Sequence, residues 1–125
     1  MIKIMVLTMI SNNLRDITVT EDELLIFFES EPERANYDPV WLFDDSVYRY
    51  EFNNIKLSFS IIPNVGDIRL ILFHHENMIY EFNAMSVKDV KCFSDMLTIY
   101  INHNEFIDVI LQPSIRVKHR YKGTN

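Results

Sequence analysis

The sequence predicts an α+β fold, with residues 1–125 forming a single globular domain in which an antiparallel β-sheet meander carries two main helices on one face. Three observations carry that expectation. Residues 47–82 alternate apolar and polar side chains in four runs separated by short turn clusters, the period-two pattern of half-buried antiparallel neighbours. Two segments open with a helix-capping signature, Thr20 with Glu23 and Ser86 with Asp89. A chain of 125 residues that is 48% hydrophobic also has surface enough to bury one core.

The elements follow in order. In residues 1–10, Ile2, Ile4 and Val6 interleave with Met5, Leu7 and Met9, which fits a buried strand or a buried helix by periodicity and is read as a strand. The Thr20–Glu23 box starts a helix over 21–30 whose buried stripe is Leu24, Leu25, Phe27 and Phe28, and Pro32 helps to end it. Residues 33–46 have no period and contain Asn36, Asp38 and Pro39, so they form a long loop carrying Tyr37, Trp41 and Phe43. Strands are expected over 47–52, 55–62, 68–74 and 78–82, with turns at Asn53 and Asn54, at 63–67 and at 75–77. Ser86 and Asp89 then open a second helix to about residue 102, its inner stripe Val90, Phe93, Leu97 and Tyr100 or Ile101. Two further strands, 105–111 and 114–121, are split by Pro113.

Composition excludes several classes. With only two glycines the chain cannot build a glycine-rich phosphate cradle, and no apolar run approaches the roughly 20 residues that span a bilayer. The lone Cys92 forms no internal disulfide, which favours a reducing cytoplasm, and the start of the chain lacks a signal-peptide cleavage pattern. Adjacent strand residues point to opposite faces, so His74 and His75 do not both reach one ion unless the backbone breaks there, and His74 with Glu76 leaves a ligand set incomplete. His103 sits near the end of the second helix, where its dipole favours a cation, and Cys92 reads as a buried thiol. No metal, no cofactor and no catalytic residues are expected.

Charge is the most informative feature. Between Asp16 and Tyr48 ten acids face one base, Arg34, giving −9; since the whole chain is −6, the remainder, with 11 bases and 8 acids, carries +3. Such a concentration attracts cationic partners. Glu29, Glu31 and Glu33 gather where the first helix ends, although acids there oppose the helix dipole. Asp38, Asp44 and Asp45 flank Tyr37 and Trp41, the arrangement of a charged rim around aromatic anchors. These eight residues are the candidate partner-binding surface. Near the C-terminus Arg116, Lys118, Arg120 and Lys122 share one face of a strand, which reads as an edge guarded by charge. The same ridge could meet phosphates, or the acidic segment of this or another subunit, but a pI near 5.1 argues against nucleic acid as the main ligand.

In size, glycine poverty, Asn and Ile richness, acidity and order of elements, the chain resembles the immunity proteins of bacterial contact-dependent growth inhibition and related polymorphic toxin systems. The resemblance spans the whole chain without a diagnostic motif, so no residue roles transfer. It implies a non-enzymatic cytoplasmic inhibitor that binds a basic partner, a toxin domain that is frequently a nuclease, and covers its active site or substrate surface. The alternatives are a self-associating protein, basic ridge on acidic segment, and a small metal-dependent enzyme in which His74, Glu76 and an acid from the first half of the chain converge in a cleft.

Overall fold

The structure, a computed structural model, describes residues 17–34, 41 and 44–122. The strand expected within residues 1–10 and the loop residues Tyr37, Asp38 and Phe43 lie outside them. Helix α1 (Glu21–Phe28) precedes a five-stranded antiparallel sheet of β1 (Glu33–Arg34), β2 (Ser46–Phe52), β3 (Ile55–Ile62), β4 (Asp67–His74) and β5 (Asn77–Ala84), neighbours in that order. A four-stranded antiparallel sheet follows, with β6 (Asp89–Phe93), β7 (Met96–Tyr100), β8 (Glu105–Ile110) and β9 (Arg116–Tyr121) also in sequence order. The expectation of one sheet beneath two main helices is overturned. Among the described residues the fold is mostly β, with one helix of 8 residues, and a second sheet stands where the second helix was expected.

The second helix fails for identifiable reasons. An N-cap residue needs extended backbone, whereas Ser86 has φ 57 and is a turn residue. The Asp89 carboxylate accepts instead from the Thr18 backbone N–H at 2.7 Å and from Val90 N–H at 2.8 Å. Val90 and Leu97 are seven residues apart, a spacing that two helical turns also satisfy, but the inward positions are Val90, Cys92, Leu97 and Ile99, two by two on either side of a turn. Ser94, at φ 60, and Asp95 form a two-residue loop that pairs Phe93 with Met96. Phe93 is consequently 78% exposed rather than part of a buried stripe. His103 lies between β7 and β8, so no helix dipole bears on it.

The first sheet follows the period-two reading closely. Asn53 and Asn54 both take positive φ (53° and 66°), the two-residue turn that joins twisted strands, with asparagine in place of the scarce glycine. Register aligns Tyr48, Phe59 and Leu70 across β2, β3 and β4, while Ile99 pairs Ile107 and Leu97 pairs Val109 on the second sheet. All seven are fully buried in one apolar cluster shared by the two sheets. Tyr80 on β5 and His119 on β9 add a hydrogen bond of 2.7 Å between the sheets.

Helix α1 begins as expected. Glu23 N–H donates to the Thr20 hydroxyl at 3.1 Å and Thr20 N–H to the Glu23 carboxylate at 2.9 Å, the reciprocal capping box. Leu24 and Phe28, one turn apart, enter the core, and the Phe28 ring stacks at 5.5 Å on both Tyr48 and Phe59. Leu25, expected inside, is 37% exposed, because eight residues present one narrow inward stripe.

The sheet edges differ in how they are guarded. β1 is two residues long, and β9 carries Arg116, Lys118 and Arg120. β5, eight residues long, pairs with β4 and with no other strand among the described residues. It exposes Met78 (49%) and Ile79 (55%), and its one charge, Glu81, is held by Arg69 at 2.7 Å.

Asp108 on β8 ties the second sheet together beneath its edge. It is 4% exposed, and it accepts from the Thr98 hydroxyl at 2.8 Å and from Arg120 Nη2 at 3.1 Å. Burial pushes its pKa up, but the hydrogen bonds from Arg120 and Thr98 outweigh that and hold the carboxyl below the usual range.

Two outcomes are expected. Phe28→Ala should cost about 3–5 kcal/mol in urea unfolding, as for other buried aromatic truncations. Since the folded pKa of Asp108 lies below its unfolded value of about 4, its stabilisation is complete above that pH and is lost as pH falls through the folded value. The urea midpoint of Asp108→Asn should therefore decline less between pH 5 and pH 2 than that of the parent chain.

Candidate functional site

The acidic segment folds into three different environments. Asp44 is fully buried, its Oδ2 receiving Arg34 Nε at 3.1 Å and its Oδ1 the Asp45 N–H at 2.8 Å. It faces inward and fixes β1 to the start of β2. Asp45 is half-buried, and burial first, then the charge of Asp44, pushes its carboxyl above the usual range. Trp41 is half-buried and packs against the core cluster. Tyr37 and Asp38 lie outside the described residues. Glu29, Glu31 and Glu33 are exposed, and Glu33 pairs with Arg49 of β2.

Glu29, Glu31 and Glu33 are thus exposed along the chain leaving α1, whereas Asp44 is enclosed. Glu29 combines two local costs. It ends the helix as a left-handed cap at φ 58, ψ 31, a conformation that suits glycine, and it sets a carboxylate against the negative end of the helix. Gln112 Nε2 reaches its Oε2 at 3.5 Å. Departures from local preference are expected at functional or strained positions.

Beside Glu29 the surface is concave. Ile26, Phe27, Glu29, Ser94, Asp95 and Leu111 line a cleft of about 230 Å³ between α1 and the β6–β7 turn. Ile26 is 73% exposed there, in reach of the carboxylates of Glu29 and Asp95. An apolar side chain inside an acidic rim is the local make-up of a protein docking surface, where burial of the anchor supplies affinity and the rim steers approach. Ile26, Asp95 and Leu111 were not anticipated as site residues. A signal for Ile26 was present: residues 24–28 are five consecutive large apolar side chains, more than one stripe of an eight-residue helix can bury.

The histidine pair differs from its expected geometry. The backbone does break at His75, with φ 60, so the rings of His74 and His75 lie on the same side with centroids 4.3 Å apart. No cluster of three or more metal-ligating side chains occurs among the described residues. Cys92 lies on β6 rather than on a helix; burial, with the charge of Glu23 adding to it, pushes its thiol up to about 12, so it stays protonated at neutral pH. No helix among the described residues is long and apolar enough to cross a membrane.

No protein-family model matches the chain, and no curated protein does. Its structure is similar to that of one chain in a solved contact-dependent growth inhibition toxin–immunity protein complex from Klebsiella pneumoniae 342, with 22% sequence identity and a TM-score of 0.70. The likeness covers 85% of this chain and 96% of the other, and it establishes a shared fold across the two-sheet architecture.

Relief of the cap at Glu29 is measurable. Glu29→Gly should stabilise the protein by about 1 kcal/mol in urea unfolding, because glycine adopts the left-handed cap without a Cβ clash.

Proposed function

We propose that this chain is a non-enzymatic immunity protein of a contact-dependent growth inhibition system, acting in the cytoplasm to bind a cognate toxin domain and block it. The observation that carries the reading is the fold it shares, over nearly the whole of both chains, with a component of such a toxin–immunity complex. Of the two roles in such a pair, the inhibitor's suits a surface of carboxylates. A nuclease holds phosphate with cations, so an acidic protein can occupy the surface that its substrate would.

The toxin is therefore a basic protein, and a nuclease fits best. Glu29, Glu31 and Glu33 form the steering rim, and Ile26 is the anchor that enters an apolar recess of the partner. Tyr37, Asp38, Trp41 and Asp45 extend the surface along the same acidic segment. Asp44 contributes by ordering β1 through Arg34.

The test is direct. A toxin domain encoded beside this chain should co-purify with it, and co-expression should restore growth. Glu29→Lys combined with Glu31→Lys should slow association about tenfold at low ionic strength, an effect that shrinks as salt screens the charges. Ile26→Ser should instead hasten dissociation. A toxin that forms no complex, or association unaltered by the double reversal at every salt concentration, would refute the reading.

A further inference from the structure

The register of the second sheet puts three rows of side chains on the face turned away from the core. One row is Asp89, Tyr100, Phe106 and Arg120; the next is Lys91, Thr98, Asp108 and Lys118; the third is Phe93, Met96, Ile110 and Arg116. Outward faces of sandwiches are ordinarily polar. This one interleaves rings with cations. Lys91 Nζ lies 5.5 Å from the Tyr100 ring centroid, and the Arg120 guanidinium carbon lies 4.9 Å from that of Phe106.

Two adjoining cavities, of about 540 and 630 Å³, share Lys91, Tyr100 and Arg120 in their walls and together make a groove. Lys88, His103 and Lys122 line the second cavity together with Phe106 and Tyr121, and Tyr121, at the end of β9, is 65% exposed. Lys88, Lys91, Lys118 and Lys122 take part in no ion pair among the described residues. The acids nearby are already engaged: Asp89 by Thr18, Asp108 by Thr98 and Arg120, and Glu23 by the helix cap.

We propose that this groove binds a short stretch of single-stranded nucleic acid, with phosphates on Lys88, Lys91 and Lys122 and bases stacked on Tyr121 and the Tyr100–Phe106 pair. Tyr121 is exposed and Tyr100 and Phe106 are half-buried, and rings set beside cations are how sequence-tolerant single-strand binders work, since every base offers a stacking face. An acidic peptide would use the lysines and leave the rings idle. The pI near 5.1 argued against such a ligand for the chain as a whole, but charge acts locally. Charge interactions at physiological salt fall off over about 8 Å, so a ligand in this groove feels its lysines more than the carboxylates beyond α1. The site stands independently of the toxin-binding reading.

The full chain should be titrated against fluorescein-labelled dodeca-uridine, dodeca-thymidine and dodeca-glutamate, following anisotropy. Saturable binding of the uridine or the thymidine strand, weakening with salt, and no comparable binding of the peptide is the expected result; the two strands compared tell RNA from DNA. Lys88→Glu with Lys122→Glu should weaken binding at least about tenfold, as should Tyr121→Ala, while Lys56→Glu on the other sheet should not. All four positions are exposed, so each variant should retain the parent circular dichroism spectrum. Failure of both strands to bind at low salt, equal affinity for the peptide, or insensitivity to the groove substitutions would each overturn the proposal. None of these outcomes bears on whether the chain inhibits a toxin.

Discussion

Everything in this protein depends on two sheets finding enough apolar surface on their inner faces to cover one another. Neither sheet could stand alone in water, since each shows an unbroken field of Leu, Ile, Val, Phe and Tyr on its inward side. Covered, they form a core to which α1 adds Leu24 and Phe28, with Phe27 packed against it. That economy frees the helix. With three residues holding it, the remaining positions can face outward, and Ile26 and the acids around it are available for other work. The division of labour between a β core and a lightly anchored helix is what places the candidate docking surface where it is.

Much of this was legible in the chain. The four strands of the first meander follow from strict alternation and from the Asn53–Asn54 turn, and the Thr20–Glu23 box identified the helix start to the residue. The error at residues 86–102 was one of period. Val90 and Leu97 satisfy two helical turns and two flanks of a hairpin equally, and the deciding feature, Ser94 in a left-handed turn, carries no strong signal in a serine. A run containing Thr98 and Ile99 does lean towards strand by its β-branched residues, a weak preference that tertiary pairing with Ile107 and Asp108 made decisive.

The candidate site was partly legible for a different reason. Net charge along a segment is visible in one dimension, whereas the direction in which each carboxylate points is not. Glu29, Glu31 and Glu33 emerge on the surface, yet Asp44, equally acidic in sequence, is enclosed by Arg34. The basic ridge illustrates the same limit from the other side. Arg116, Lys118 and Arg120 do share a face of an edge strand, but the consequence of that face depends on β6, β7 and β8, which align Tyr100 and Phe106 with it. Opposite charges thus occupy separate territories on one small molecule.

The lightly guarded β5 has a consequence for handling. Among the described strands it offers the longest row of unshared backbone donors and acceptors, beside exposed Met78 and Ile79 and without a lysine to repel a neighbour. In concentrated samples, or after brief warming, fibrillar association would nucleate along this strand rather than at β9 with its three cations. Methionine oxidation by ambient peroxide would act at the same border, where Met78 is half open to solvent and Met85, just past the end of β5, is 79% exposed. Storage lifetime would thus be governed at a margin far from the docking helix.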